Sequence, residues 1–201
     1  LPMMQILNSN TTVWDTTNGA NFTWSGNMDI RSTYTGATGT RTFNFGNIAE
    51  AYVPNIKTTT GNCVSIGVST DSVAITGGVG DLNLTGMTCT ITNTAKTVYG
   101  NLTIPATGGT ITTGTAAITM GSTNASSKYI DTAGRTIQVP ITFDGVNGYW
   151  TLSNALVANA TTPLTLTNGQ VDFNQKAITF ANITTTSATA NASLDRKSTR
   201  L

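Results

Sequence analysis

The stretch Leu164-Thr-Leu-Thr-Asn-Gly-Gln-Val-Asp-Phe173 contains the pattern that decides the fold of this chain. Apolar and polar residues alternate on both sides of Asn168-Gly169, as they do in β-strands that bury one face. An Asn-Gly pair accepts positive φ at both positions, so it predicts a tight hairpin. The same pattern also fits a corner between two faces of a β-solenoid, and the sequence alone does not separate the two structures.

The same period of two recurs along the chain, whereas the helical period is nearly absent. One segment, 151–158, has a short helical pattern, enough for a turn or two. Clusters of Gly and Asn between the alternating segments predict turns. Short strands are predicted at 81–85, 88–92, 101–104, 137–139, 141–143, 164–166, 171–173 and 178–180.

The composition is typical of a structural protein rather than an enzyme. Thr makes up roughly a fifth of the residues, only 9% are charged, and there is no His. Thr suits strands because its branched Cβ favours the pleat while its hydroxyl tolerates water. The lack of His excludes Ser–His and Cys–His nucleophiles and imidazole metal sites from this chain. We therefore expect neither a cofactor nor a metal, and no enzyme.

Two cysteines, Cys63 and Cys89, are too few for a four-ligand zinc site. Their spacing of 26 positions is close to one coil of a large solenoid, so the two could stack. A single bridge would not make a disulfide framework, and we expect buried free thiols rather than a bond.

Strands this short, with mostly small and medium apolar residues, predict a thin core. They become stable by stacking many coils or by pairing in sheets. We favour an all-β fold of the β-solenoid type, a right-handed parallel β-helix. An antiparallel β-sandwich or a string of small β-domains is the alternative. A basic–Thr–apolar step at Arg41, Lys96 and Arg135 suggests degenerate repeats with loops of unequal length.

Residues 1–194 are predicted to be a fragment of a β-repeat array, with a candidate subdivision near 55–80. Residues 195–201 hold three of the ten basic residues and resemble the translation of a common short-read sequencing adapter. We expect this tail to be foreign to the protein. The other basic residues are scattered, which argues against a nucleic-acid partner. No apolar run approaches the roughly 20 residues of a membrane span.

The segment Ile141-Thr-Phe-Asp-Gly-Val-Asn-Gly-Tyr-Trp-Thr-Leu-Ser-Asn-Ala-Leu156, followed by 164–173, has a familiar pattern, as do 12–24 and 41–46. It resembles the Thr/Asn/Gly-rich β-repeats of environmental phage proteins that are tail-fibre-like or lie on the virion surface. Repeats of bacterial surface adhesins are similar. The resemblance implies a structural role on a virion or in the extracellular space, and it brings no catalytic residues.

Three functions from different classes follow. The first is a segment of a phage tail fibre or virion surface protein that acts as a stiff spacer or receptor-presenting rod. Its partners would be other virion or surface proteins and a cell-surface receptor or glycan, with homotrimerisation a plausible way to close exposed edges. The alternative is a bacterial or archaeal cell-surface adhesin or filament subunit. The third is a β-helical polysaccharide depolymerase.

The depolymerase hypothesis depends on carboxylates, because glycan hydrolysis needs two of them at a defined separation in a cleft. Asp131, Asp144 and Asp172 are the candidates, since they lie in or beside predicted strands and turns. Asp in such places more often caps a turn through its side chain. Clustering within one groove would favour catalysis, and dispersal onto separate turns would exclude it.

Aromatic side chains are the candidates for glycan contact by stacking: Trp14, Trp24, Tyr149 and Trp150. Alternation exposes one member of the Tyr149-Trp150 pair. The competing interpretation is an aromatic residue that closes the core near a turn.

The row Thr88, Thr90, Thr92 and Thr94 raises an ice-binding interpretation. Such a surface needs threonine rows in register on successive coils. The irregular spacing of the predicted strands argues against that register.

Overall fold

A computed structural model describes residues 3–6, 12–15, 27–32, 40–46, 48–57, 72–87, 90–109, 111–186 and 193–195. Every pairing between the described strands is parallel. The chain therefore winds into a β-solenoid, and the predicted solenoid is confirmed over the antiparallel alternative.

The strands are short and follow one another through corners and loops. In chain order they are β1 Met3–Ile6, β2 Thr12–Asp15, β3 Asn27–Ser32, β4 Thr40–Asn44, β5 Asn55–Lys57, β6 Ser72–Val79, β7 Leu82–Asn83, β8 Thr90–Thr92, β9 Lys96–Val98, β10 Leu102–Thr103, β11 Ile118–Met120, β12 Ser127–Asp131, β13 Thr136–Ile137, β14 Ile141–Leu152, β15 Leu156–Ala158, β16 Pro163–Asp172, β17 Ile178–Thr179, β18 Asn182–Thr185 and β19 Ser193–Asp195. A 3-10 helix, Glu50–Tyr52, precedes β5.

The strands stack into three faces. The first face contains β1, β3, β5, β7, β10, β12, the second halves of β14 and β16, and β19. The second face contains β2, β4, the first half of β6 and β8, and then the separate sheet β13-β15-β17. The third face contains the second half of β6, β9, β11, the first halves of β14 and β16, and β18. Residues 111–186 thus visit the faces in a fixed order, coil after coil.

The core consists of apolar rows that run along the axis from coil to coil. On the first face Leu82, Leu102, Ile130 and Leu152 are register partners, and each is at most 1% exposed. Burying one such side chain contributes about 1.5–3 kcal/mol, so the stack stabilises strands that are too short to persist alone.

The Asn168-Gly169 pair is a corner and not a hairpin. β16 continues through it, from the third face to the first, with parallel partners on both sides. Gly169 has φ +89°, a conformation that L side chains rarely adopt. At the corner before it, a Cβ on Gly145 would overlap the carbonyl oxygen of Ser122. Glycine therefore lets successive backbones approach each other at this corner.

Two sequence-based predictions are corrected by the strands. The helical pattern at 151–158 is not realised, because these residues end β14 and form β15. The basic–Thr–apolar step is not one repeating unit either. Thr42 and Thr136 lie on the second face, whereas Thr97 lies on the third.

Candidate functional site

The third face presents one row of identical side chains on successive coils. Thr97 pairs with Thr119, Thr119 with Thr142, Thr142 with Thr165, and Thr165 with Thr184. We call these five residues the threonine ladder. Their inward neighbours, such as Ile118 and Ile141, belong to the core, so alternation directs the threonines outward.

Among the described residues, the ladder hydroxyls have no hydrogen-bond partner. Thr184 is exposed and the other four threonines are half-buried, and within the described residues none of the five hydroxyls has a protein partner. Other threonines differ: Thr94 Oγ1 donates to the Ile75 carbonyl oxygen at 2.6 Å. Thr132 Oγ1 donates to the Ala155 carbonyl oxygen at 3.1 Å. The ladder hydroxyls are therefore available to water or a ligand.

The positions beside the ladder are small and almost uncharged. Asp144 carries the one charge among the ten flanking positions, and Tyr99 carries the one aromatic ring. The residues two positions before each ladder threonine are Ala95, Ala117, Pro140, Pro163 and Asn182, and those two positions after are Tyr99, Gly121, Asp144, Thr167 and Thr186. Apart from Tyr99, Asp144 and Asn182, the ladder and its flanking positions thus present only small side chains with methyl, methylene or hydroxyl groups, or no side chain at all.

A segment from an earlier coil ends the ladder on its N-terminal side. We call Ile48–Val53 the strap; it contains the 3-10 helix. Gly78 occupies the ladder position one coil before Thr97. A Cβ on Gly78 would lie 3.3 Å from both the Ile48 carbonyl oxygen and Val53 Cγ1. The strap therefore covers the position where a sixth ladder residue would stand.

Glu50 fastens the strap to the corner between the third and first faces. Its Oε2 accepts hydrogen bonds from Thr123 N at 2.8 Å and Thr123 Oγ1 at 2.7 Å, and its Oε1 accepts one from Ser122 Oγ. Burial alone would raise the pKa of Glu50. The hydrogen bonds and the charge of Lys128 outweigh burial, so its pKa lies below the ordinary value.

Two lysines occupy inward positions that apolar residues fill on other coils. Lys96 is 4% exposed, and its Nζ donates to the Thr94 carbonyl oxygen at 2.5 Å. Burial lowers the pKa of Lys96 to about 8. Lys128 Nζ donates to the carbonyl oxygens of Asn124 at 2.6 Å and Ser126 at 2.8 Å. Burial also lowers the pKa of Lys128, and the nearby Glu50 partly offsets this.

The outer surface of the first face is mixed. Tyr129, Thr151 and Asp172 are neighbours on successive coils. Tyr129 is 44% exposed. The Tyr149 hydroxyl donates to Asp172 Oδ2 at 3.2 Å, and Ser127 Oγ lies 3.4 Å from Thr151 Oγ1. Side chains on this part of the face thus bond to one another, and the row changes residue type from Tyr129 to Thr151 to Asp172.

The aromatic candidates for glycan contact separate into two environments. Tyr149 is half-buried on the outer surface of the first face, where it pairs with Ser127, two residues before the exposed Tyr129. Trp150 is fully buried with its ring 5.3 Å from that of Phe143, so its prediction as a glycan contact is wrong. Alternation along β14 turns Trp150 into the core. The Trp14 side chain, Trp24, Cys63 and Cys89 lie outside the described residues.

The three candidate carboxylates lie on separate coils. Asp131 ends β12, Asp144 lies at the bend of β14, and Asp172 ends β16. They accept hydrogen bonds from Ala133 N at 2.8 Å, Asn168 Nδ2 at 2.7 Å and Asn174 N at 2.7 Å, respectively. Asp131 and Asp172 therefore cap the turns that follow them, as is common for Asp beside strands, whereas Asp144 joins its corner to that of the next coil.

The described residues offer little else for chemistry. They contain no group of three acidic, Cys or His side chains that could hold a metal ion. A cavity of about 30 Å³ lies between coils, lined by Ile104, Ile111 and Ile137 and by Arg135. That volume suits about one water molecule. Arg135 Nη1 donates to the carbonyl oxygens of Pro105, Gly108 and Gly109, so this side chain secures the neighbouring loop.

Comparison of the chain with protein-family models, with curated proteins and with solved structures found no match. Among the described residues, no helix has the length and apolarity needed to cross a membrane.

The threonine ladder was missed from the sequence because its members are unevenly spaced, at 22, 23, 23 and 19 residues. The structure absorbs these differences in loops between faces and in the bulge of β14 between Asp144 and Tyr149. The available signal was a threonine between two inward residues in four of the five strands, all except β18. The Thr88–Thr94 row, which the sequence does single out, is not continued on the preceding coil, because Thr92 pairs with Ala74.

Proposed function

We propose that this chain is a structural and adhesive β-repeat segment of a phage tail fibre or virion surface protein. It acts as a stiff spacer or as a rod that presents a receptor-binding part. The observation that carries the proposal is the continuous stacking of parallel strands on the first face from β1 to β19. Such a stack transmits force through neighbouring coils without a separate hinge.

The sequence composition supports this role. Only 9% of residues are charged, and the outer positions are rich in Thr and Asn. A backbone ladder on each face resists bending, because bending must lengthen hydrogen bonds on one side. The partners we propose are other virion or surface proteins and a cell-surface receptor or glycan. Tyr129 and Tyr149 are the aromatic side chains placed to meet a glycan.

A cell-surface adhesin or filament subunit would use the same rod, so the fold supports it equally. The depolymerase is less well supported. Asp131, Asp144 and Asp172 lie on separate coils and accept hydrogen bonds from their own turns or from a neighbouring coil, whereas hydrolysis needs two carboxyls across one cleft. We therefore propose a protein without catalytic activity.

Long-read sequencing of the surrounding locus, together with immunogold labelling, tests the proposal. Antibodies raised against the chain should label the fibres or surface of virions, and the adjacent genes should encode tail or capsid proteins. A membrane anchor in the same open reading frame, with label on cells, would instead establish the adhesin. Release of oligosaccharides from host polysaccharide by the purified chain would overturn the non-enzymatic assignment.

A further inference from the structure

We propose that the third face binds ice through the threonine ladder. The ligand is the ordered water of an ice crystal surface, and the contact residues are Thr97, Thr119, Thr142, Thr165 and Thr184. This activity is independent of the virion proposal, because it depends only on the outer surface of one face.

The first support is the repeat distance. Neighbouring strands of a sheet lie about 4.7–4.9 Å apart, so the ladder threonines repeat at that interval over five coils. Hexagonal ice repeats along its a axis by nearly the same distance. A rigid row with this period places one threonine at each equivalent water position, whereas a row with unequal steps would lose register after one or two.

The second support is the chemistry of the row. Each threonine offers a methyl group and a hydroxyl, and its branched Cβ restricts χ1, so the row is ordered before it meets a ligand. Within the described residues the five hydroxyls have no protein partner. They can therefore join a water lattice without breaking a bond in the protein, and little entropy remains to be lost on binding.

The third support is that the positions beside the ladder lack the residues that other classes of ligand require. Sugar sites use aromatic rings for stacking, and Tyr99 at one end is the one ring among the flanking positions. Cores of protein interfaces are enriched in aromatic residues, Met and Arg, which these positions do not supply apart from Tyr99. Nucleic acid needs basic residues, and the single flanking charge is the acidic Asp144. Ordered water is the partner that a regular row of methyls and hydroxyls fits.

The test uses the full chain in an ice-affinity assay and an ice-recrystallisation assay. The wild type should partition into a slowly growing ice hemisphere and keep crystals small. Thr142→Tyr should lose both activities, because a ring in the middle of the ladder holds the flanking threonines away from a flat surface. Thr142→Ser, which removes only the methyl group, should lose part of the activity.

Thr151→Tyr is the matched control. Thr151 lies on the same strand, β14, is also half-buried and faces outward, but it belongs to the first face. This variant should bind ice as the wild type does. Circular dichroism and melting curves establish that both tyrosine variants are folded. Exclusion of the folded wild type from ice would overturn the proposal, as would equal loss in the two variants. Binding to crystalline cellulose or chitin in place of ice would also overturn it.

Discussion

The first and third faces share two bent strands, yet their outer surfaces differ. β14 and β16 each contribute one half to the third face and the other half to the first. On the third face the outward row is threonine on five coils, with hydroxyls that have no protein partner among the described residues. On the first face the corresponding row changes from Tyr129 to Thr151 to Asp172. Parallel register supplies the regular backbone on both faces, and the outward residues alone decide whether a face is filled by its own contacts or left open to a ligand.

Trp150→Ala should produce the largest effect, because it removes the buried ring next to the corner that both faces share. We expect a loss of about 3–5 kcal/mol in the free energy of unfolding, measured by denaturant titration. Thr151→Ala, the next residue, faces outward and should change stability by less than about 0.5 kcal/mol. If the two substitutions cost the same, the assignment of inside and outside on β14 is wrong.

Gly145→Ala should break the corner itself. The added methyl would overlap the Ser122 carbonyl oxygen, and we expect a cost of about 3 kcal/mol from the forced shift of the backbone. Gly134→Ala is the comparison, because a Cβ there meets no atom within 4 Å and only the φ of +74° opposes it. That strain costs about 1 kcal/mol, so thermal melting should separate the two variants clearly. Equal melting temperatures would contradict close approach at the corner.

The pH dependence of stability tests whether Lys96 is buried in the interior behind the threonine ladder. Burial lowers its pKa to about 8 from 10.5, so the unfolded chain holds the proton more tightly than the folded chain. Stability should therefore rise between pH 8 and pH 10.5, by up to about 3 kcal/mol at 1.36 kcal/mol per pKa unit. Lys96→Met should abolish this rise. The measurement is the difference in the free energy of unfolding between wild type and variant across this pH range. An unchanged pH profile in the variant would show that Lys96 is solvated.

Glu50→Gln should have the smallest effect and should act at the strap, which borders the third face. Losing charge-assisted bonds from Ser122 and Thr123 should cost about 1 kcal/mol at neutral pH. Because the folded pKa of Glu50 is lowered, its contribution is complete above the ordinary value of 4.5 and is lost as pH falls through the folded value. Asp144→Asn makes the same change from carboxylate to amide at an exposed corner, and it is the control for the loss of a negative charge alone. A variant as stable as wild type at neutral pH would mean that the strap is not fastened by Glu50.

The sequence predicted the parts of this structure that depend on local patterns. Alternation placed strands at 141–143, 164–166 and 171–173, and it indicated that one of Tyr149 and Trp150 would be buried. It could not choose between a hairpin and a corner at Asn168-Gly169, because an Asn-Gly pair suits both: the hairpin needs positive φ at both residues, and the corner needs it at Gly169 alone. The choice depends on which strands pair across the coils, and that information is distributed over the whole chain.

The threonine ladder was beyond sequence reasoning for a related reason. Loops of unequal length hide a register that exists only after each coil has closed. The carboxylate hypothesis depended on the same distant information, because residues 131, 144 and 172 are near in sequence order but belong to separate coils. Local pattern therefore determined the strands, while closure of the coils determined which side chains became neighbours.

Disulfide trapping tests the central claim, the parallel register of the third face, most directly. Thr119→Cys and Thr142→Cys would be combined in a chain that also carries Cys63→Ser and Cys89→Ser. In the parallel register these two positions lie about 4.8 Å apart on adjacent coils. That separation lies inside the range of about 4.4–6.8 Å that a disulfide spans, so oxidation should cross-link the monomer efficiently. Thr119→Cys with Thr165→Cys, two coils apart, should remain reduced, and the opposite result would contradict the solenoid register.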